Sequence, residues 1–282
     1  MVSNNLKKFK VLPIAILTFA VSSGVTAEQW TPPQNPDPEE IRREADEDAR
    51  EKRYELASEK YVWYHENALK YQPSLVGVRV SFALMGWRSL ANQYPPALQE
   101  MRRAQDRAEV RVKSNTNDSS TFENIAATKG LLAFQDAAAL NRTFKEDNRT
   151  IALFKWLEEQ DPDLAHLAYV IAQDALVEAG EYGLCESYLT GRNSFEGVIE
   201  DHERQLDSMA KMYGGAENLP HIDSHYLVFA RKAAFIIAIL VNRDRISDAK
   251  IIAERAMQEL EDENLRNQIA KALRGIPPEQ LM

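Results

Sequence analysis

The chain has one cysteine in 282 residues. Cys185 alone can form neither an intramolecular disulfide nor a thiolate zinc site, and its small apolar side chain is expected in the core. Glycine is sparse, with 11 residues. No stretch alternates apolar and polar residues with the β-branched enrichment of a strand, so no sheet is expected. There is no G-x-S-x-G, no Walker A loop, no G-x-G-x-x-G and no HExxH. No catalytic residue, cofactor or metal is therefore assigned. Basic charge is also short. Lys+Arg number 34 against 43 Asp+Glu, a net charge of −9, which argues against nucleic acid and its phosphates. The same balance is compatible with a basic partner.

What is present begins with a three-part N-terminus. Lys7, Lys8 and Lys10 precede an apolar run from Val11 to Val21, and Val25 and Ala27 stand at the small-residue positions of a signal-peptidase site. This is the pattern of a secretory signal over residues 1–27, and the run is too short to span a bilayer. The expected mature chain starts at Glu28, is exported to the periplasm or beyond, and keeps no membrane span. Losing three lysines moves the net charge from −9 to −12. The sequons at Asn117, Asn141 and Asn148 matter only in a eukaryotic host, and three are close to chance.

Residues 28–36 hold three prolines and read as an extended lead-in. Helix starts follow. Asp37-Pro38-Glu39-Glu40 is an N-cap, a first-turn proline and acids, and this helix is expected to run to about Tyr71, before Pro73. A second helix is expected from Ser74 to near Tyr94. It has one apolar stripe of Val76, Val80, Ala83, Trp87, Leu90 and Tyr94 and another of Leu75, Val78, Phe82 and Met85, which predicts burial on two faces. Pro95-Pro96 open a third helix. Residues 113–119 form a polar loop, followed by a capping box of Ser120 and Glu123. Asp161-Pro162 start another helix, while residues 191–194 and Gly214-Gly215 break the chain. The unbroken apolar run Ala233–Val241 is flanked by charges and reads as a buried helix.

A repeat of tetratricopeptide length is present in part. With position 1 at Leu131, Phe134, Ala138, Asn141, Thr150, Phe154, Leu157 and Pro162 fall at 4, 8, 11, 20, 24, 27 and 32. A unit from His166 places Tyr169, Gln173, Leu176, Gly180, Tyr182, Cys185 and Leu189. A unit from Ala230 places Ala233, Ile237, Leu240, Ala249, Ala253 and Ala256. Small residues at fixed places let paired helices approach, and stacking completes the core. The fold class expected is all-α, with hairpins stacked as a tetratricopeptide-like right-handed solenoid. Its helical domain spans 37–276 and a tail 277–282.

One segment is more specific: His65-Glu66-Asn67-Ala68-Leu69, Gly77-Val78-Arg79, Ser81-Phe82-Ala83-Leu84, Trp87 and Tyr94-Pro95-Pro96-Ala97. It resembles a largely uncharacterised family of exported bacterial proteins with tetratricopeptide-like hairpins. The resemblance implies fold and export, and no assigned activity. Lys52-Arg53-Tyr54 departs from the Gly-Asp-Tyr turn of such repeats, which favours a continuous first helix.

Within this segment Trp63, His65, Glu66, Asn67, Arg79 and Trp87 are candidate partner-binding residues. Arg79 lies between apolar stripes and should pair with a carboxylate, Glu66 being the nearest in sequence. The group reads either as an interhelical ion pair, which is favoured, or as a polar pocket walled by Trp63 and Trp87. His221 and His225 have metal-ligand spacing but no third ligand. The acidic run Asp37–Glu51 is expected to be a solvated helix face. The function expected is an exported scaffold for a protein or peptide. The alternative is an envelope enzyme using His65, Glu66 and Arg79.

Overall fold

The computed structural model describes residues 30–114, 129–215 and 223–279, and among these there is no strand. In chain order the helices are α1 (Pro38–Arg50), α2 (Tyr54–Tyr71), a 3-10 turn at Pro73–Leu75, α3 (Val76–Arg79), α4 (Phe82–Ala91), α5 (Pro95–Ser114), α6 (Lys129–Thr143), α7 (Asp147–Gln160), α8 (Pro162–Glu178), α9 (Tyr182–Ser187), a 3-10 turn at Gly191–Asn193, α10 (Phe195–Tyr213), α11 (Asp223–Val241), α12 (Ile246–Gln258) and α13 (Glu263–Ala272). The protein is all-α. Residues 1–27, the start at Glu28, and the loop and capping box over 115–123 lie outside the described residues.

The proline signals act as expected. The Asp37 carboxylate accepts from the Glu39 N–H at 2.9 Å with Pro38 at N1, and Asp161 accepts from the Leu164 N–H at 3.0 Å with Pro162 at N1. Two expectations fail. The first helix does not run on to Tyr71; it breaks at Glu51–Arg53, where Lys52 takes a left-handed φ of 64°. The helix expected over 74–94 is broken at Val80–Ser81. The Ser81 hydroxyl donates to the Gly77 carbonyl at 2.7 Å, competing with helix continuation beside a weak helix former. Its second apolar stripe is divided by the break: Leu75 is buried and Val78 packs beside it, while Phe82 and Met85 are 68% and 66% exposed.

The break at Lys52 belongs to a pattern. Lys52, Lys145, Gly180 and Asp244 all have φ between 58° and 75°. In each case the following residue donates its N–H back to a carbonyl five residues earlier: Arg53 to Asp48 at 2.8 Å, Glu146 to Asn141 at 2.8 Å, Glu181 to Leu176 at 2.9 Å and Arg245 to Leu240 at 2.9 Å. This is the Schellman closure of a helix end. The next helix opens immediately afterwards, so α1–α2, α6–α7, α8–α9 and α11–α12 share one hairpin turn. Counted from the left-handed residue, the fourth residue back is buried in all four hairpins (Asp48, Asn141, Leu176, Leu240). The eleventh back (Ile41, Phe134, Tyr169, Ala233) and the fifth onward (Ala57, Thr150, Cys185, Ala249) are buried as well. The three repeat units read from sequence thus fall on three of these hairpins, and α1–α2 is a fourth.

Only one of the four turns carries the glycine that such a turn favours, because an L-residue at positive φ costs roughly 1 kcal/mol. Gly180→Ala is expected to destabilise by about 1 kcal/mol, and Lys145→Gly, at an exposed side chain, to stabilise by up to about the same amount. Urea unfolding of both variants checks this; equal midpoints would remove the turn argument.

The helices bury two main apolar clusters. The first runs from Ala45 to Tyr188 and includes Trp87, Phe134, Phe154 and Tyr169. The second gathers α10 to α13 around Phe229, Ile237 and Ile269. Phe235 and Ile239 of α11 reach back into the first cluster and join the two. The stretch Ser224–Val241, with mean hydropathy 1.6, is long and apolar enough to cross a membrane by length and composition alone. Its Ala233–Leu240 segment is nevertheless buried, packed among α10, α12 and α13, which matches a core helix. Cys185 is buried, and burial pushes its thiol up to about 11, so it is an unreactive packing residue. Asn141 is buried too; it accepts from Gln105 Nε2 at 2.7 Å and donates to Thr150 Oγ1 at 3.2 Å, which leaves no room for a glycan.

Candidate binding site on α2

Helix α2 presents the six candidate residues to two different environments, directly or through its neighbours. Tyr61, Tyr64, His65 and Ala68 form its buried face. Trp63, Glu66 and Asn67 look the other way, into an open cleft.

On the buried side, the break at Ser81 leaves α3 as a single turn that turns Arg79 inward. Its guanidinium is 5% exposed and makes a two-pronged pair with Asp136 of α6: Nη2 to Oδ1 at 2.6 Å and Nη1 to Oδ2 at 2.9 Å. Nη1 also donates to the His65 carbonyl at 3.1 Å. Burial pushes the Asp136 carboxyl up, while Arg79, and Arg111 at 3.3 Å, pull against that shift. The expected burial and carboxylate pairing of Arg79 are present, but the partner is Asp136, not Glu66. Glu66 is on the outer face and pairs with Arg107 of α5 at 2.7 Å. The reason is helical phase: Glu66 is one residue past His65, about 100° around α2.

His65 is buried, and its ring lies 5.6 Å from that of Trp87 at 51°. Burial, with Arg79, Arg111 and Arg107 nearby, holds the imidazole well below its ordinary value of 6.5, so the ring is neutral. Neither ring nitrogen has a protein hydrogen-bond partner, nor has Trp87 Nε1. Trp87 is enclosed by the core and does not wall a pocket together with Trp63. The trio required for acid–base chemistry, His65, Glu66 and Arg79, is therefore split between interior and surface.

On the outer side, the lead-in folds back onto α2. The Trp30 N–H donates to Glu59 at 2.8 Å. Trp30 meets the Trp63 ring edge-on at 6.1 Å, and Trp63 stacks on Tyr71 at 5.8 Å. The resulting cleft, 340 Å³ in volume, is lined by Trp30, Trp63, Asn67 and the carboxylate residues Glu59, Glu66 and Glu100. Asn67 donates to the Trp63 carbonyl at 2.9 Å and accepts from Lys70 at 2.8 Å, fixing its amide. Trp30, Glu59 and Glu100 carry no motif and were not read from sequence. The lead-in was read from its three prolines only as an extended stretch.

His225, by contrast, packs against His202 of α10, ring to ring at 4.6 Å and parallel within 1°. His221 lies outside the described residues. Among the described residues no cluster of three His, Cys, Asp or Glu could hold a metal ion. Two Ser-x-x-Lys matches, Ser208–Lys211 and Ser247–Lys250, lie on exposed helix faces, and Lys211 is paired with Asp207 at 2.8 Å.

No protein-family model, curated protein or solved structure matches the chain. The fold and the cleft define an all-helical protein of repeated hairpins with an aromatic, acidic surface groove.

Proposed function

We propose that the chain is an exported tetratricopeptide-like scaffold, its hairpins stacked as a right-handed solenoid, that binds a protein or peptide partner in the cell envelope. The observation that carries this reading is the Trp30–Trp63 cleft, where two indoles and three glutamates converge on one open groove. Aromatic faces beside carboxylates suit a lysine or arginine side chain, through cation–π attraction and charge pairing. The acidity of the whole chain favours the approach of such a partner. The shared hairpin turn supports the repeat architecture, and the lysine-rich N-terminus with its small-residue cleavage pattern supports export. Among the candidate residues, Trp63, Glu66 and Asn67 contact the partner, while His65, Arg79 and Trp87 hold α2, α3, α4 and α6 together.

Titration with a labelled oligo-lysine peptide tests this reading. Saturable binding is expected, weakened about tenfold by Glu66→Lys and by Trp63→Ala, in line with the loss of a charge-assisted contact or an aromatic anchor. Glu66→Lys should cost under about 1 kcal/mol of stability, since it disrupts only a half-exposed ion pair. Absence of binding, or affinity unchanged in both variants, would sink the proposal.

A further inference from the structure

A second cleft, 790 Å³ in volume, lies at the opposite end of the chain between α11, α13 and the segment after α13. This is within the range of about 300–1,000 Å³ found for ligand pockets. Its chemistry runs against that of the protein. It is lined by three cationic residues, Arg231, Lys271 and Arg274, against one carboxylate residue, Glu279, with Asn264, Asn267 and Gln268 beside them. Arg231 is paired with Asp174 at 2.9 Å. Lys271 and Arg274 are exposed and have no carboxylate partner among the described residues.

Residues 264, 267, 268 and 271 follow the 3,1,3 spacing of one helix face, so three carboxamides and an ammonium stand in a row along α13. The row is about 10 Å long at 1.5 Å per residue, the length of about three residues of extended chain. A carboxamide both donates and accepts, which matches the N–H and C=O groups of an extended backbone. The two unpaired cations at one end call for anions. The chain itself already places one side-chain-to-backbone contact in this cleft. Residues 276–279 are non-helical, with Pro277 and Pro278 holding them extended, and Arg231 donates to the Glu279 carbonyl.

We infer that this cleft is a second binding site, which takes an extended peptide segment bearing carboxylates: its backbone lies along Asn264, Asn267 and Gln268, and its acidic side chains meet Lys271 and Arg274. The inference rests on reading the chain as a binding scaffold but uses a surface separate from the Trp30–Trp63 cleft. Fluorescence anisotropy with a labelled oligo-glutamate peptide tests it on the full chain. The expected result is saturable binding that falls about tenfold or more in Lys271→Glu/Arg274→Glu and several-fold in Asn267→Ala. An oligo-glutamine peptide of equal length should bind more weakly, and free glutarate should compete poorly. Both variants change exposed side chains, and an unchanged circular dichroism spectrum establishes that they fold. Competition by glutarate at peptide-like concentrations would show a small-anion site and overturn the proposal. Absence of binding, or affinity unaffected by the double reversal, would overturn it as well. Oligo-lysine binding should persist in the double reversal. If oligo-lysine fails while oligo-glutamate depends on Lys271 and Arg274, the Trp63 surface falls and this site stands.

Discussion

Arg79→Ala is expected to destabilise the protein by about 3–5 kcal/mol, the usual result of stranding one partner of a buried ion pair. Asp136 would keep its place on α6, 4% exposed, with only the half-exposed Arg111 within reach. The His65 carbonyl would lose its second donor. Removing both charges should be far milder. Arg79→Leu/Asp136→Leu is expected to recover most of the loss, because the pair's Coulomb energy largely repays its own desolvation and little remains once neither charge is buried. Urea unfolding of the single and double variants measures both. An Arg79→Ala protein as stable as the parent would show that the pair is not structural. If such a variant also lost oligo-lysine binding, Arg79 would have to be assigned to the partner.

The second large effect is acid sensitivity. His65 is neutral in the fold, held well below 6.5 by burial and then by the three neighbouring arginines. His202 is held down to about 4, by burial and then by His225, and His225 is itself lowered, chiefly by burial. In the unfolded chain each would titrate near 6.5, so below that pH the unfolded state binds more protons than the folded one. The stabilisation from the neutral rings is complete above about pH 7. It is lost as pH falls through the window beneath 6.5, by up to about 1.4 kcal/mol per pH unit for a fully buried histidine such as His65. For His202 the loss levels off near pH 4. Unfolding free energies at pH 7.5, 6.0 and 5.0 should therefore fall steeply, and His65→Leu should flatten the slope. The same slope in that variant would place the acid sensitivity in the other histidines or in the carboxylates.

Local signals placed most of the helices. Proline at a first turn, a capping Asp and an apolar rhythm act within a few residues, so Pro38, Pro95 and Pro162 mark real starts. The repeat positions around Phe134, Phe154, Tyr169 and Ala253 were legible because a core position demands an apolar residue wherever the chain comes from. The turns at Lys52 and Asp244 were hidden. A left-handed residue is announced by glycine, and here the surrounding Schellman bonds and the packed hairpin sustain lysine and aspartate at that φ. The helix break at Ser81 was hidden for a related reason: the apolar stripes run straight through it.

The sequence by itself determined that the protein is helical and acidic, that α11 carries a long apolar run, and that Arg79 must be charge-paired if buried, because these follow from composition, period and the cost of an unpaired charge. Only the tertiary structure decided which carboxylate pairs with it. Asp136 lies 57 residues away on α6, and no local spacing can register a contact made by two helices meeting across a core. The same holds for the division of α2 into a buried His65 face and an open Trp63 face, and for the arrival of Trp30 beside Glu59. A helix repeats its faces every 3.6 residues, but which face meets solvent depends on the neighbours that cover it.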